Sequence, residues 1–281
     1  MKQDTPKYQH FVSQMHTTRF TDEVGRLHVF NKVSKKFLHV PPRAVFAKTH
    51  LYTIEDAVGH KDTTLETKFS ALEDRASAIL DKIERAVRRG LHPELSAREK
   101  ADFDLFFYKQ WKRVPDFHRE VATAAEEEEQ LDRILANLRV LYPKRIAEID
   151  SLDTPQQRKR LLHGGKALAI DAVGTKVLPF LDSRGLRLTR ITAPGECFAI
   201  GSRPIVAITP NLCNEIPIGA WLPISSDIAV CIDGPKEHEE LVLVNDPSSI
   251  LAFNRVAAAQ SLSFAARSKP LIEALAAFVM T

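Results

Sequence analysis

The sequence predicts an α+β fold: a short N-terminal β-hairpin, a helical middle, and a C-terminal small mixed or antiparallel sheet with closing helices. Three observations carry this. Apolar residues step at helical intervals through the middle of the chain, from Leu65 to Leu141. Two alternating segments flank a basic turn between Arg26 and Val40. Short apolar runs bounded by Gly, Pro, Asn and Asp fill the stretch after Leu186. The 281 residues are read as a single α+β domain. Residues 1–60 form N-terminal strands and loops, 61–182 the helical part, and 183–281 the sheet plus closing helices.

The hairpin comes first. Leu27 and Val29 alternate with Arg26 and His28 as in a half-buried strand; Lys32 to Lys36 is the turn. Phe37 to Val40 returns and stops at Pro41 and Pro42, because proline cannot extend a hydrogen-bonded ladder. The first helix is the clearest element. Leu65, Phe69, Leu72, Ala76, Ile79 and Ile83 lay one apolar stripe along it; Thr63 with Glu66 reads as a capping box, and Gly90 ends it. Ser96 with Glu99 starts the next helix, which places Phe103, Phe107, Trp111 and Val114 on one side until Pro115. A long helix from Asp116 to Tyr142 follows, with Phe117, Val121, Leu131, Ile134, Leu135, Leu138 and Leu141 at helical intervals. The Glu126–Glu129 run within it reads as a solvated face, because successive residues splay around a helix. Thr154-Pro155 opens a helix expected to reach Phe180. The strands then read as 186–191, 198–200, 205–208, 221–224, 228–232 and 241–244. A helix from Ile250 to Ala266 and a last one from Pro270 close the chain.

Composition excludes several classes. Hydrophobic residues make up 44% and charged residues 27%, the balance of a globular protein. A net charge of +3 permits an anionic partner, nucleic acid included, without the excess of a dedicated nucleic-acid domain. The N-terminal residues lack the apolar core of a signal peptide, and no apolar run is long enough for a membrane span. Cys197, Cys213 and Cys231 form no C-x-x-C pair and are odd in number, so they read as reduced cysteines of a cytoplasmic protein.

His10-Phe11-Val12-Ser13-Gln14, then Arg19-Phe20-Thr21, then Gly25-x-Leu27-x-Val29-Phe30-x-Lys32 resemble the family called domain of unknown function 4238. The resemblance runs on through Leu51-Tyr52-Thr53, the helix bearing Glu66 and Glu73, Arg113-Val114-Pro115, Phe198 to Pro204, Leu222 to Ser225, and Asn254. It covers most of the chain in order; the ordered set, and no single motif, is specific. It implies an intracellular globular protein and supplies no activity. Two departures stand out. Ser13 replaces a usual proline, and Ser202 falls where relatives carry an aspartate, which puts a shared catalytic use of that carboxylate in doubt.

His10, Glu66, Glu73 and Arg113 are the catalytic candidates; Gln14, Arg19 and Asn254 are the binding candidates. Each has a plain alternative. His10 can act as acid, base or ligand near neutral pH, or can tie down the N-terminal segment. Glu66 and Glu73, seven apart, leave one helix face together and can hold a divalent metal, or can serve as cap and solvated flank. Arg113 can bind a ligand or satisfy carbonyls at a helix end. Gln14 and Arg19 flank His10; Arg19 can clamp a phosphate or carboxylate, or pair with an internal acid. Asn254 on a buried helix most often ties backbone together. Converging in one cleft, these groups would make a nuclease-like hydrolase acting on a phosphodiester, with a divalent metal of unstated identity. The alternative is a non-catalytic binding or regulatory protein with an anionic or protein partner.

Overall fold

The computed structural model describes residues 8–56, 60–115, 123–208, 213, 215–216, 219–237 and 239–281. The chain divides into two compact units. One comprises residues 1–9, 48–70 and 112–173, the other residues 10–47, 71–111 and 174–281. The mixed α+β class expected from the sequence is observed. Among the described residues, no helix is long and apolar enough to cross a membrane.

The first unit is largely helical. Its core joins Tyr52, Leu65 and Phe69 to Ala167 and Ile170 of the Pro155–Asp171 helix. Gly164 and Gly165 do not break that helix, but it stops at Asp171, and a separate short helix covers Val177–Asp182 in the other unit. A second cluster joins Leu131 and Leu135 of the Ala124–Leu141 helix to Ile149. Thr123 caps that helix, making a reciprocal box with Glu126. Residues 116–122, with Phe117 and Val121, lie outside the described residues. The acidic run is used up in surface pairs: Glu127 with Lys166, Glu128 with Arg158, Glu129 with Arg133.

Among the described residues the second unit carries a five-stranded and a four-stranded sheet. In the following numbering strands run in chain order: β1 (Tyr8–His10), β2 (Leu27–Asn31), β3 (Lys36–Val40), β4 (Ala47–Thr49), β5 (Ile54–Glu55), β6 (Lys61–Asp62), β7 (Arg184–Ile191), β8 (Ile200–Gly201), β9 (Val206–Ile208), β10 (Gly219–Pro223), β11 (Ile228–Pro235), β12 (Glu239–Val244) and β13 (Ser263–Ala266). Strands β12-β7-β11-β10-β9 form a mixed sheet, with β12 parallel to β7 and the other pairs antiparallel. Leu186, Leu188, Leu222, Ile228 and Val230 from this sheet pack with Leu72, Ala76, Ile79 and Ile83 of the Thr64–Arg88 helix. That helix ends in a Schellman motif: Gly90 takes φ +75°, Leu91 N–H donates to the Ala86 carbonyl, and Gly90 N–H to that of Val87.

In the Ala97–Lys112 helix the Ser96–Glu99 box is present in both directions, at 2.7 and 3.3 Å. Its buried face runs through Phe103, Phe106 and Phe107, while Trp111 is 47% exposed. Phe103, Phe107 and Val114 are buried as expected; Phe106 joins that face and Trp111 lies outside it.

The second sheet has the order β3-β2-β13-β8. The sequence expectation of one helix to Ala266 is corrected here. The helix is Pro247–Gln260, and β13 pairs antiparallel with β2, Phe264 opposite Phe30. Ser261 leaves the helix in an extended conformation, and Ser202 Oγ accepts the N–H groups of Leu262 and Ser263. Those partners come from elsewhere in the chain, so a local reading cannot see them.

Candidate functional site

Glu66 and Arg113 belong to the first unit; His10, Gln14, Arg19, Glu73 and Asn254 belong to the second. In the first unit Arg113 is buried, with its guanidinium 4.3 Å from the Phe69 ring centre and 5.4 Å from that of Tyr52. Its Nε donates to the Tyr52 hydroxyl at 3.2 Å. Desolvated cation–π contacts of this kind contribute about 2 kcal/mol. Beside it, the buried Gln9 amide donates to Thr53 Oγ1 and accepts from Tyr52 N–H. Lys112 Nζ donates to the carbonyls of Ala169 and Ala172 at the end of the Pro155–Asp171 helix. Glu66 is half-buried.

In the second unit His10 Nε2 lies 3.2 Å from the Arg43 carbonyl oxygen. A carbonyl only accepts, so this nitrogen carries the proton. Gln14 is exposed and Glu73 half-buried. Arg19 pairs with Asp81 at 2.6 Å, contacts Glu84, and donates to the Ser77 carbonyl. Glu84 and Asp227 also flank Arg88, whose pKa is raised chiefly by its hydrogen bond to Asp227. Asn254 is fully buried; its Oδ1 accepts from Ala199 N–H and its Nδ2 donates to the Cys197 carbonyl, both at 2.8 Å. The Ser202 hydroxyl, which accepts the N–H groups of Leu262 and Ser263, holds the Gln260-to-β13 connection.

A different constellation lies on the N-terminal hairpin. His28 on β2 and His39 on β3 are directly opposite each other in the antiparallel register. Their rings stack, with centroids 4.3 Å apart and planes 7° from parallel. Asp22 Oδ2 lies 2.7 Å from His39 Nε2 and 3.6 Å from His28 Nε2. One ligand atom from each of the three lies within 4.8 Å of the others. Asp22 Oδ1 accepts from Val24 and Arg26 N–H, which fixes the carboxylate and leaves Oδ2 facing the rings. Burial pushes the Asp22 carboxyl up, but the Arg26 N–H, the His39 ring and the Val24 N–H together bring it below its usual range. Burial, then the neighbouring His39, lowers the His28 pKa, which favours the neutral ring. The cluster borders a cavity of about 330 Å³ whose walls include Phe37, Leu38, Lys269 and Glu273.

This donor set has the composition of an open transition-metal site: two imidazoles and one carboxylate. Adjacent corners of a tetrahedron with bonds of 2.0–2.1 Å are about 3.3 Å apart. The two separations from Asp22 Oδ2 bracket that value. Binding requires the parallel rings to splay, so that both nitrogen lone pairs meet at one ion.

Sequence reasoning missed these three residues, although a signal was present. His28 precedes Asn31 by three positions and His39 follows Lys36 by three, while Asn31 and Lys36 are the pair that closes the turn. Any hairpin of that register sets the two histidines face to face. Asp22 gives no such signal, because a bend outside the ladder brings it there.

No curated protein and no solved structure matches this chain. The model of one family, described as "Protein of unknown function (DUF4238)", matches residues 8–270. That span includes the hairpin histidines, Asp22 and every candidate residue drawn from the sequence, and the chain belongs to this family.

Proposed function

We propose that this chain is a divalent-metal protein whose ion is held by Asp22, His28 and His39. The observation that carries the reading is the juxtaposition of two opposed imidazoles and an anchored carboxylate beside a cavity. Two nitrogen donors favour zinc or a related transition metal over magnesium or calcium. Three protein ligands leave a coordination position open, as in metal sites that activate water or polarise a phosphoryl oxygen. Of the two functions compatible with the sequence, metal-assisted hydrolysis of a phosphodiester therefore has more support than non-catalytic binding. For a centre made of His10, Glu66, Glu73 and Arg113 the support is thinner, because His10 and Arg113 each contact neighbouring chain in a way that holds the fold.

Calorimetric titration of chelator-treated protein with Zn²⁺ tests this. One ion per chain is expected, with binding abolished in the double variant His28→Ala/His39→Ala and weakened about 10–100-fold by Asp22→Asn. Unaltered zinc binding in the double variant would remove the site. A His10→Ala variant that loses turnover without a lower Tm would move the catalytic centre to the N-terminal segment.

A further inference from the structure

We propose that the cavity beside Asp22, His28 and His39 takes a singly charged phosphodiester bearing an apolar group, with Lys269 holding the anion and Glu273 moving the proton. This rests on the metal reading above and extends it to substrate class and to two further residues.

Lys269 and Glu273 occupy the first turns of the Lys269–Met280 helix, with their charged ends 3.6 Å apart. Both line the same cavity as His28 and His39. The helix N-terminus, capped by Ser268, adds a partial positive charge on that side.

The remaining wall is apolar. Phe37 is 52% exposed and Leu38 45% exposed, on β3 at the edge of its sheet. Exposed edge strands usually carry charge or proline in place of such residues. Here the apolar pair sits against the cavity, which suits a substituent that leaves water on binding.

Charge selects among esters. A divalent ion with neutral imidazoles is offset by Asp22, and Lys269 by Glu273, so the loaded site carries one net positive charge. A phosphodiester monoanion neutralises it. A monoester dianion leaves an excess negative charge, and an uncharged carboxylic ester leaves Lys269 without a function.

The reaction balances without a redox partner. A divalent cation held by Asp22, His28 and His39 would supply polarisation of a phosphoryl oxygen and a more acidic water. Glu273 accepts a proton from the attacking water as its oxygen bonds to phosphorus. The bond from phosphorus to the leaving oxygen breaks, and that oxygen receives the proton back from Glu273. The products are an alcohol and a phosphomonoester.

The test uses the full chain loaded with one equivalent of Zn²⁺, and three probes: bis(4-nitrophenyl) phosphate, 4-nitrophenyl phosphate and 4-nitrophenyl acetate. The diester is expected to be cleaved with kcat/KM at least about tenfold above either other probe, a difference that one unmatched charge readily produces. Glu273→Gln should lower kcat about 10²–10⁴-fold with zinc stoichiometry unchanged. Lys269→Met should raise KM about tenfold with kcat nearly constant. Zinc-loaded protein that leaves the diester intact, or prefers the monoester or acetate, overturns the inference while the metal site stands. Loss of zinc in Glu273→Gln makes that residue a ligand and overturns its role as base. Wild-type protein that takes up no zinc defeats the metal reading itself.

Discussion

His16 Nε2 donates to the carbonyl oxygen of Pro223 at 2.6 Å, joining positions 207 apart in sequence. The ring is fully buried, with Phe20 and Phe106 at 5.7 and 6.1 Å between ring centres. Burial lowers the His16 pKa to about 4; the Pro223 carbonyl opposes this and the Arg19 charge adds to it. No feature of the local sequence distinguishes His16 from an exposed histidine.

This contact predicts an acid-sensitive fold. Unfolded His16 titrates near 6.5 and folded His16 near 4. Between these values the unfolded chain binds a proton that the folded chain refuses. Stability present above pH 6.5 is therefore lost as pH falls toward 4, by about 3 kcal/mol from this group. Urea midpoints across that range measure the loss. His16→Gln retains a donor for Pro223 and should flatten this part of the profile; an unchanged slope would assign it to other groups.

Asp104 works in the opposite direction. Burial raises its pKa to about 6, against the attraction of Lys100, whose Nζ lies 2.7 Å from both carboxylate oxygens. Its folded pKa exceeds the unfolded one, so this group adds stability as pH falls below 6, and partly masks the His16 effect. Asp104→Asn strands the buried Lys100 charge and should cost about 3–5 kcal/mol, whereas Lys100→Met/Asp104→Leu should recover most of that. A double-mutant cycle by urea unfolding reads the coupling, and additive single effects would rule it out.

Leu72 is 5% exposed, within the cluster that joins the Thr64–Arg88 helix to the mixed sheet. Leu72→Ala should lower stability by about 2–5 kcal/mol. An unchanged unfolding midpoint would show that this face of the helix contributes no core.

Asn254→Ala would leave the Ala199 N–H and the Cys197 carbonyl buried without their side-chain partner. A cost of about 2–4 kcal/mol follows from two such groups. Calorimetric Tm checks it, and Asn254→Asp, which keeps the acceptor and loses the donor, should fall between the two.

Much of the architecture was legible locally. The apolar stripe from Leu65 to Ile83, the Ser96–Glu99 box, the Gly90 stop and the hairpin at Lys32–Lys36 each depend on residues within a few positions of one another. Along the Ala97–Lys112 helix Phe103 and Phe107 are legible as buried, but Phe106 and Trp111 are equally apolar, and only the packed partners decide which of those two is buried. Likewise, the segment 261–266 reads as helix until β2 and Ser202 offer its backbone other partners. The α+β class and the unpaired cysteines therefore follow from the sequence alone, because periodicity, capping and cysteine spacing act over short range. The tertiary structure alone decided that β13 completes the hairpin's sheet, that His16 meets Pro223, and that Asp22 joins His28 and His39. Each of those depends on groups distant in sequence, whose approach is set by burial of the whole core and by the hydrogen bonds that buried polar groups must find.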